Sequence, residues 1–158
     1  LGKIKGVAMN LDGNRLSDPS VFGETRAMQQ ALANAQMTPY DIDYINTHGS
    51  SSPIGDKTEA ASIYAVLGDN SSKVWLNSTK SIIGHCLWSA GVVEAIATLL
   101  QLQGSYVHPN LNLDNPIDNI CRFVSCKKEN TYLRAAMSNS FGFGGINSSL
   151  IFTQGEKS

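Results

Sequence analysis

Apolar positions along this chain switch repeatedly between two spacings. Residues 2–10 alternate in part and predict a strand. Ala27, Met28, Ala31, Leu32 and Ala35 recur at helical spacing and predict a helix over 23–36. Thr38-Pro39 ends it, because a residue before proline avoids the helical region. Residues 42–47 read as a strand running into His48-Gly49. A serine-rich loop through Pro53 follows, then a helix from Gly55 or Asp56 to Leu67, with Gly68 as its stop. Residues 73–77 form another strand. Val92, Val93, Ala95, Ile96, Ala97, Leu99, Leu100 and Leu102 place a helix over 87–103, closed by Gly104. It is too short for a membrane span, and Glu94, Thr98 and Gln101 interrupt it; it reads as a core helix buried on most of its circumference. Strands follow at 121–125, 134–140 and 146–153.

The order β-α-β-α-β-α-β-β-β predicts an α/β fold: a mixed, mostly parallel sheet with helices on its faces. The last strands, joined by short links, predict an antiparallel edge. Asp12-Gly13-Asn14 is a turn, 14–22 a polar loop, 108–116 an extended loop and 127–133 a connection. One domain over 1–153 with a polar tail at 154–158 suits the 158 residues.

Charged residues are 16% of the chain and the net charge is −1, so no basic stripe offers itself to nucleic acid or to a membrane surface. Such low charge, with 14 glycines, suggests that part of the surface is covered by something else. Three cysteines, Cys86, Cys121 and Cys126, form no CxxC pair; a disulfide framework is not expected, and a reducing cytoplasm is. No targeting or lipidation motif is read. The chain opens on Leu1 in what looks like the middle of an element, which suggests a piece of something longer.

Lys80 and His85 stand five residues apart, in front of the apolar helix. His48, the loop after Asn77 and the glycine loop after Ser140 all occupy carboxyl ends of strands, where α/β sheets bind ligands. Two neutral histidines aimed at one carbonyl oxygen can each donate a ring N–H. If that oxygen becomes an enolate, both bonds strengthen, an effect on the order of 3–4 kcal/mol per donor. A helix N-terminus near His85 would help keep its ring neutral. Lys80 can orient a carboxylate or stabilise a thiolate. Phe141-Gly142-Phe143-Gly144-Gly145 offers backbone N–H groups for an oxyanion hole, and an aromatic ring as a gate. His108 and Cys86 read as structural, Cys86 as a small residue packed beside the site.

Three clusters together resemble the ketosynthases, the β-ketoacyl-acyl carrier protein synthases of fatty-acid and polyketide assembly, with a thiolase-like fold. Thr47-His48-Gly49-Ser50-Ser51-Ser52-Pro53-Ile54-Gly55-Asp56-Lys57-Thr58-Glu59 is similar to the family's Thr-His-Gly-Thr-Gly-Thr…Gly-Asp-x-x-Glu. Lys80-Ser81-Ile82-Ile83-Gly84-His85 resembles Lys-Ser-x-x-Gly-His. Asn139-Ser140-Phe141-Gly142-Phe143-Gly144-Gly145-Ile146-Asn147 resembles Asn-Ser-Phe-Gly-Phe-Gly-Gly-Thr-Asn. The likeness covers nearly the whole chain and, from the look of residues 84–91, leans to the polyketide type.

The resemblance implies decarboxylative Claisen condensation, an acyltransferase reaction. His48 and His85 would bind the thioester carbonyl of malonyl-carrier protein and stabilise the enolate, with Lys80 supporting the site. Ser50 and Ser52 stand where the family has threonines that hydrogen-bond the phosphopantetheine arm. Phe143, flanked by Gly142 and Gly144, would be the gate and oxyanion residue, and Glu59 a buried structural partner. No metal and no cofactor beyond the arm of the acyl carrier protein is implied. Two departures matter. Ser50-Ser51-Ser52 replaces Thr-Gly-Thr, removing a glycine. The nucleophilic cysteine is missing, so the chain resembles the C-terminal half of the domain. It would need an N-terminal half, would assemble with acyl carrier protein and as a dimer of complete domains, and would be inactive alone. Two other readings stay open: a malonyl-carrier protein decarboxylase that keeps the histidines without the cysteine, and a non-catalytic half that only binds carrier protein.

Overall fold

The computed structural model describes residues 2–155. In chain order the elements are β1 (Gly2–Leu11), α1 (Val21–Ala35), β2 (Tyr44–Asn46), α2 (Pro53–Leu67), β3 (Trp75–Asn77), α3 (Lys80–Ile83), α4 (Ala90–Gly104), β4 (Tyr106–Val107), β5 (Arg122–Phe123), β6 (Glu129–Asn130), β7 (Ala135–Gly142) and β8 (Ile146–Gln154). Six strands form one sheet in the order β1-β8-β7-β2-β3-β5, and β4 and β6 pair as a separate ribbon. β2, β3, β5 and β7 run parallel, while β8 runs antiparallel to both its neighbours, β1 and β7. The expected mixed sheet is thus present, with its antiparallel part on the β1 side.

Alternation along the central strands divides the core in two. Ile45, Leu76 and Met137 pack with Met28, Ala31, Leu32, Ile63 and Leu67 beneath α1 and α2. Tyr44, Ala136 and Phe152 pack with Leu102, Val107, Val124 and Leu133 on the opposite face, beneath α4. Helix α1 can approach β1 because Gly6 has no side chain: a Cβ there would lie 2.2 Å from the Ala31 carbonyl oxygen.

Four features differ from the sequence reading. Helix α2 begins at Pro53, because Ser52 caps it and proline suits the first turn, where no N–H is required. Residues 80–83 form a short helix not read from the sequence, and 106–107 pair with 129–130 where loop and connection were expected. The largest difference is in α4. Val92, Ile96 and Leu100 are 66%, 49% and 45% exposed, whereas Glu94, Thr98 and Gln101 are buried. The helix is therefore not buried on most of its circumference; its polar stripe faces the sheet. The reason lies opposite it. Tyr44 donates to Asn77 Oδ1 at 2.6 Å, Gln101 Nε2 donates to the Tyr44 hydroxyl at 2.8 Å, and Asn77 Nδ2 donates to Gln101 Oε1 at 3.1 Å. This closed ring satisfies polar groups that burial would otherwise penalise.

Gly6→Val forces a branched side chain into the Ala31 backbone and lowers stability by about 2–3 kcal/mol, read from a urea denaturation curve. A second prediction concerns pH. Glu24 of α1 is buried and accepts a hydrogen bond from Ser62 of α2 at 3.0 Å; burial, then the nearby Glu59, pushes its carboxyl up to about 8. The fold therefore holds a proton on Glu24 that the unfolded chain has already lost, so this residue's contribution is complete below about pH 4.5 and declines as pH rises toward 8. Glu24→Gln flattens that decline and is the more stable protein at pH 8, by about 1 kcal/mol or more in the same denaturation experiment.

Candidate active site

The chain leaves β2 at Thr47, whose N–H and hydroxyl both donate to the Asn77 carbonyl, at 2.8 and 3.1 Å. The next two backbone N–H groups, of His48 and Gly49, are each held at 2.8 Å by one oxygen of the Glu59 carboxylate. Glu59 is buried on α2, and burial pushes its carboxyl up to about 7. Gly49 has φ 40° and packs against Ser78, leaving no room for a Cβ. A clamp from α2 thus fixes the turn that carries His48.

Lys80 opens α3 and is buried. Its ammonium donates to the His48 carbonyl at 2.6 Å, contacts His48 Nδ1 at 3.3 Å, and forms an ion pair with Glu94 of α4. An ammonium can only donate, so Nδ1 of His48 is the acceptor and Nε2 carries the proton of the neutral ring. Burial, then the charge of Lys80 and the neighbouring His85, pushes the His48 imidazole down to about 3. Burial raises the Glu94 carboxyl, and Lys80 opposes that rise.

His85 reaches the same tautomer by another route. Leu87, with a left-handed φ of 49°, donates its N–H to His85 Nδ1 at 3.0 Å. Burial, then Lys80, holds this ring below the ordinary histidine value. The two ring centroids are 5.5 Å apart with planes at 78°, and the Phe141 ring lies 6.2 Å from that of His48. Two neutral imidazoles thus sit together, each with Nδ1 engaged and Nε2–H left as its donor. That arrangement suits a carbonyl oxygen that gains negative charge.

A cleft of about 380 Å³ is lined by His85 and Lys80 together with Ser50, Ser51, Asp56, Leu111 and Phe123. Ser52 is not among its lining residues. Its Oγ accepts from the Gly55 N–H at 3.3 Å as the cap of α2, which leaves its own O–H to donate elsewhere. Phe143 is 74% exposed, and neither it nor Gly142 or Gly144 lines the cleft. The Gly144 N–H donates to the Leu16 carbonyl at 2.9 Å, which removes it as an oxyanion donor. The ring recorded against His48 is that of Phe141, and Phe143 stands exposed two residues further on. His108 is held between Thr79 and the Pro109 carbonyl, consistent with a structural part. Burial, then Asp118, pushes the Cys121 thiol up to about 12, and Cys126 is exposed. Among the described residues, no group of three or more His, Cys, Asp or Glu could hold a metal. No helix there is long and apolar enough to cross a membrane.

Sequence reasoning passed over Glu94, Leu87 and Phe141 as site residues. A carboxylate interrupting an apolar helix was a visible signal for Glu94. Leu87 acts through its backbone, which no residue type announces.

Residues 1–114 match the family described as beta-ketoacyl synthase, C-terminal domain. The chain belongs to this family. It is 44% identical over 154 residues to the polyketide biosynthesis malonyl-ACP decarboxylase PksF of Bacillus subtilis, covering 98% of this chain and 36% of that one. Identity to 3-oxoacyl-[acyl-carrier-protein] synthase 1 of Haemophilus influenzae is 44% over 153 residues, covering 95% and 36%. Among solved structures, the type II polyketide ketosynthase complex AntDE:AntF, with its acyl-carrier protein, matches at TM-score 0.92 and 30% identity, over 98% of this chain and 38% of that one. A beta-ketoacyl synthase from Burkholderia phymatum STM815 matches at TM-score 0.90 and 32% identity, over the same shares. The fold is the thiolase-like one of these ketosynthases, and the chain spans little more than a third of its relatives' length.

As a member of the β-ketoacyl synthase family, this chain should keep both histidines neutral across the working pH range. Nitrogen-15 NMR of the imidazoles is expected to show the Nε2–H tautomer for His48 and His85, with no titration of His48 between pH 5 and 8. A protonated Nδ1 on either ring contradicts the assignment.

Proposed function

We propose that the chain supplies the two-histidine half of a β-ketoacyl synthase active site, for decarboxylative Claisen condensation of an acyl thioester with malonyl-acyl carrier protein. The observation that carries this reading is the pair of neutral imidazoles, 5.5 Å apart, with matched tautomers set by Lys80 and Leu87. Their Nε2–H groups donate to the thioester carbonyl oxygen of the malonyl group. The bond to the carboxylate carbon breaks, carbon dioxide leaves, and its electron pair becomes an enolate whose charge rests on that oxygen. The enolate carbon then attacks an acyl thioester, forming the carbon–carbon bond and expelling a thiolate. That thiolate belongs to a cysteine outside this chain, because none of Cys86, Cys121 and Cys126 has a nucleophile's setting. The phosphopantetheine arm of the carrier is the handle by which substrate arrives.

The partner that completes the site has a surface waiting for it. Trp88, Val92, Ile96 and Leu100 recur every four residues on the outward side of α4 and of the turn before it, and all are exposed. Val7, Met9 and Leu11 add to them: they pair with Leu150, Ser148 and Ile146, and Leu150 packs into the core beneath α4, so all three residues of β1 lie on that face. Such a patch suits the N-terminal ketosynthase half. Complete domains of this kind are expected to dimerise and to meet acyl carrier protein, as the ketosynthase of AntDE:AntF does.

A second reading, malonyl-acyl carrier protein decarboxylation without condensation, is favoured by the likeness to PksF. In it the enolate carbon takes a proton instead of an acyl group.

Mass spectrometry of carrier-bound products separates the two. The assembled enzyme given a primer and malonyl-carrier protein yields a lengthened ketoacyl chain on the first reading and only acetyl-carrier protein on the second. His48→Ala and His85→Ala each lower turnover by about 10²–10³-fold on either; full turnover in both variants refutes the histidine mechanism. Ile96→Glu should abolish assembly with the complementary half, measured by size-exclusion chromatography, while His85→Ala leaves assembly intact.

A further inference from the structure

At the end of β3 a side chain interrupts the ladder with β5. Trp75 pairs with Arg122 and Leu76 with Phe123, and the Val124 N–H then donates to the Leu76 carbonyl at 2.9 Å. The next rung of a parallel ladder would carry the Ser78 N–H to the Val124 carbonyl. Instead the amide of Asn110, buried in the loop between β4 and β5, stands between the two. Its Oδ1 accepts from the Ser78 N–H at 2.9 Å. Its Nδ2 donates to the Val124 carbonyl at 3.0 Å and to the Leu76 carbonyl at 3.2 Å. The Asn110 N–H donates to the Ser125 carbonyl at 3.0 Å, which fixes the loop that carries this amide. Asn110 borders the cleft, but both its amide hydrogens are used, so it has no side-chain donor left for a ligand.

What rests on Ser78 is the turn that carries His48. The Ser78 hydroxyl donates to the Gly49 carbonyl at 2.9 Å, with the His48 carbonyl 3.4 Å away. Gly49 packs so closely that a Cβ on it would lie 2.7 Å from the Ser78 Cβ. Glu59 holds the N–H groups of this turn and Lys80 holds the His48 carbonyl. Ser78 supplies a third hold, and its own N–H is held by Asn110 rather than by a strand. We propose that Asn110 is a positioning residue for His48: its amide replaces the rung missing beside β3 and, through Ser78, fixes the turn that presents the imidazole. The inference rests on the proposed ketosynthase function and adds to it a residue that reaches His48 only through another side chain.

The test measures Tm, kcat and KM for malonyl-carrier protein in the assembled enzyme, for Asn110→Ala, Ser78→Ala and the double variant. A displaced imidazole loses transition-state stabilisation, so each single variant is expected to lower kcat about tenfold or more, with KM within about twofold. The double variant is expected to be no slower than the slower single, because the two residues act in series. Asn110→Asp keeps the acceptor for Ser78 but sets a second oxygen against two carbonyls, and protonation restores one donor there. Its kcat, relative to the parent at the same pH, is expected to rise as pH falls from about 8 to about 6. A lower Tm with parent kcat in Asn110→Ala or Ser78→Ala overturns the proposal, since a merely structural amide behaves so. Losses that multiply in the double variant, or a flat ratio for Asn110→Asp, also overturn it. If Asn110→Ala fails to assemble, Ser78→Ala and Asn110→Asp decide the matter. His85→Ala in the same assay separates the two levels. If it retains turnover, the ketosynthase reading fails; if turnover is lost while Asn110→Ala and Ser78→Ala keep the parent kcat, only the part given to Asn110 fails.

Discussion

One ammonium group organises this half-site. Lys80 is buried, and a buried cation is tolerable only when its donors are used. It meets the His48 carbonyl, the His48 ring and the Glu94 carboxylate, three groups from two different parts of the chain. Each contact carries a structural consequence. The carbonyl contact fixes the turn after β2, the ring contact selects the tautomer, and the ion pair ties α4 to the floor of the site. The same positive charge disfavours protonation of both imidazoles. Burial first, and this cation second, keep two nearby histidines as neutral donors, the state that suits a developing enolate.

The orientation of α4 follows from that ion pair and from the hydrogen-bonded ring behind it. Glu94 must face Lys80, and Gln101 must face Tyr44 and Asn77. With its polar stripe turned inward, the helix has only its apolar residues left to present outward. An exposed stripe of Trp88, Val92, Ile96 and Leu100 is thus the counterpart of a polar interior. The chain spans little more than a third of its relatives' length, and this exposed apolar face lies on the same helix as Glu94, the partner of Lys80.

The loop from His48 to Ser52 shows how motif likeness and geometry divide the work. Three serines occupy the motif's Thr-Gly-Thr positions, and the hydroxyl count alone would assign Ser50 and Ser52 to the ligand. Helix capping uses the Ser52 oxygen, because the first N–H groups of α2 need an acceptor and Pro53 places the helix start directly after it. The backbone of Ser51 retains the conformation a glycine would have. In the glycine loop the Leu16 carbonyl accepts from the Gly144 N–H, and the Phe141 ring lies beside His48.

The order of the main strands and helices, the mixed sheet, the three loops at strand ends and the residue types able to stabilise an enolate were legible in the amino-acid sequence, whereas the short helix at 80–83 and the 106–107/129–130 ribbon were not. The legible features depend on local spacing and side-chain chemistry, which a sequence displays directly. Which side of α4 faces inward was not legible, because periodicity records where apolar residues recur and not what lies across from them. The tautomers of His48 and His85, the pairing of Lys80 with Glu94 and the capping by Ser52 were decided only by the tertiary structure. Each depends on a partner's position in space: Lys80 stands 32 residues from His48 in sequence and 3.3 Å from its ring nitrogen in the fold.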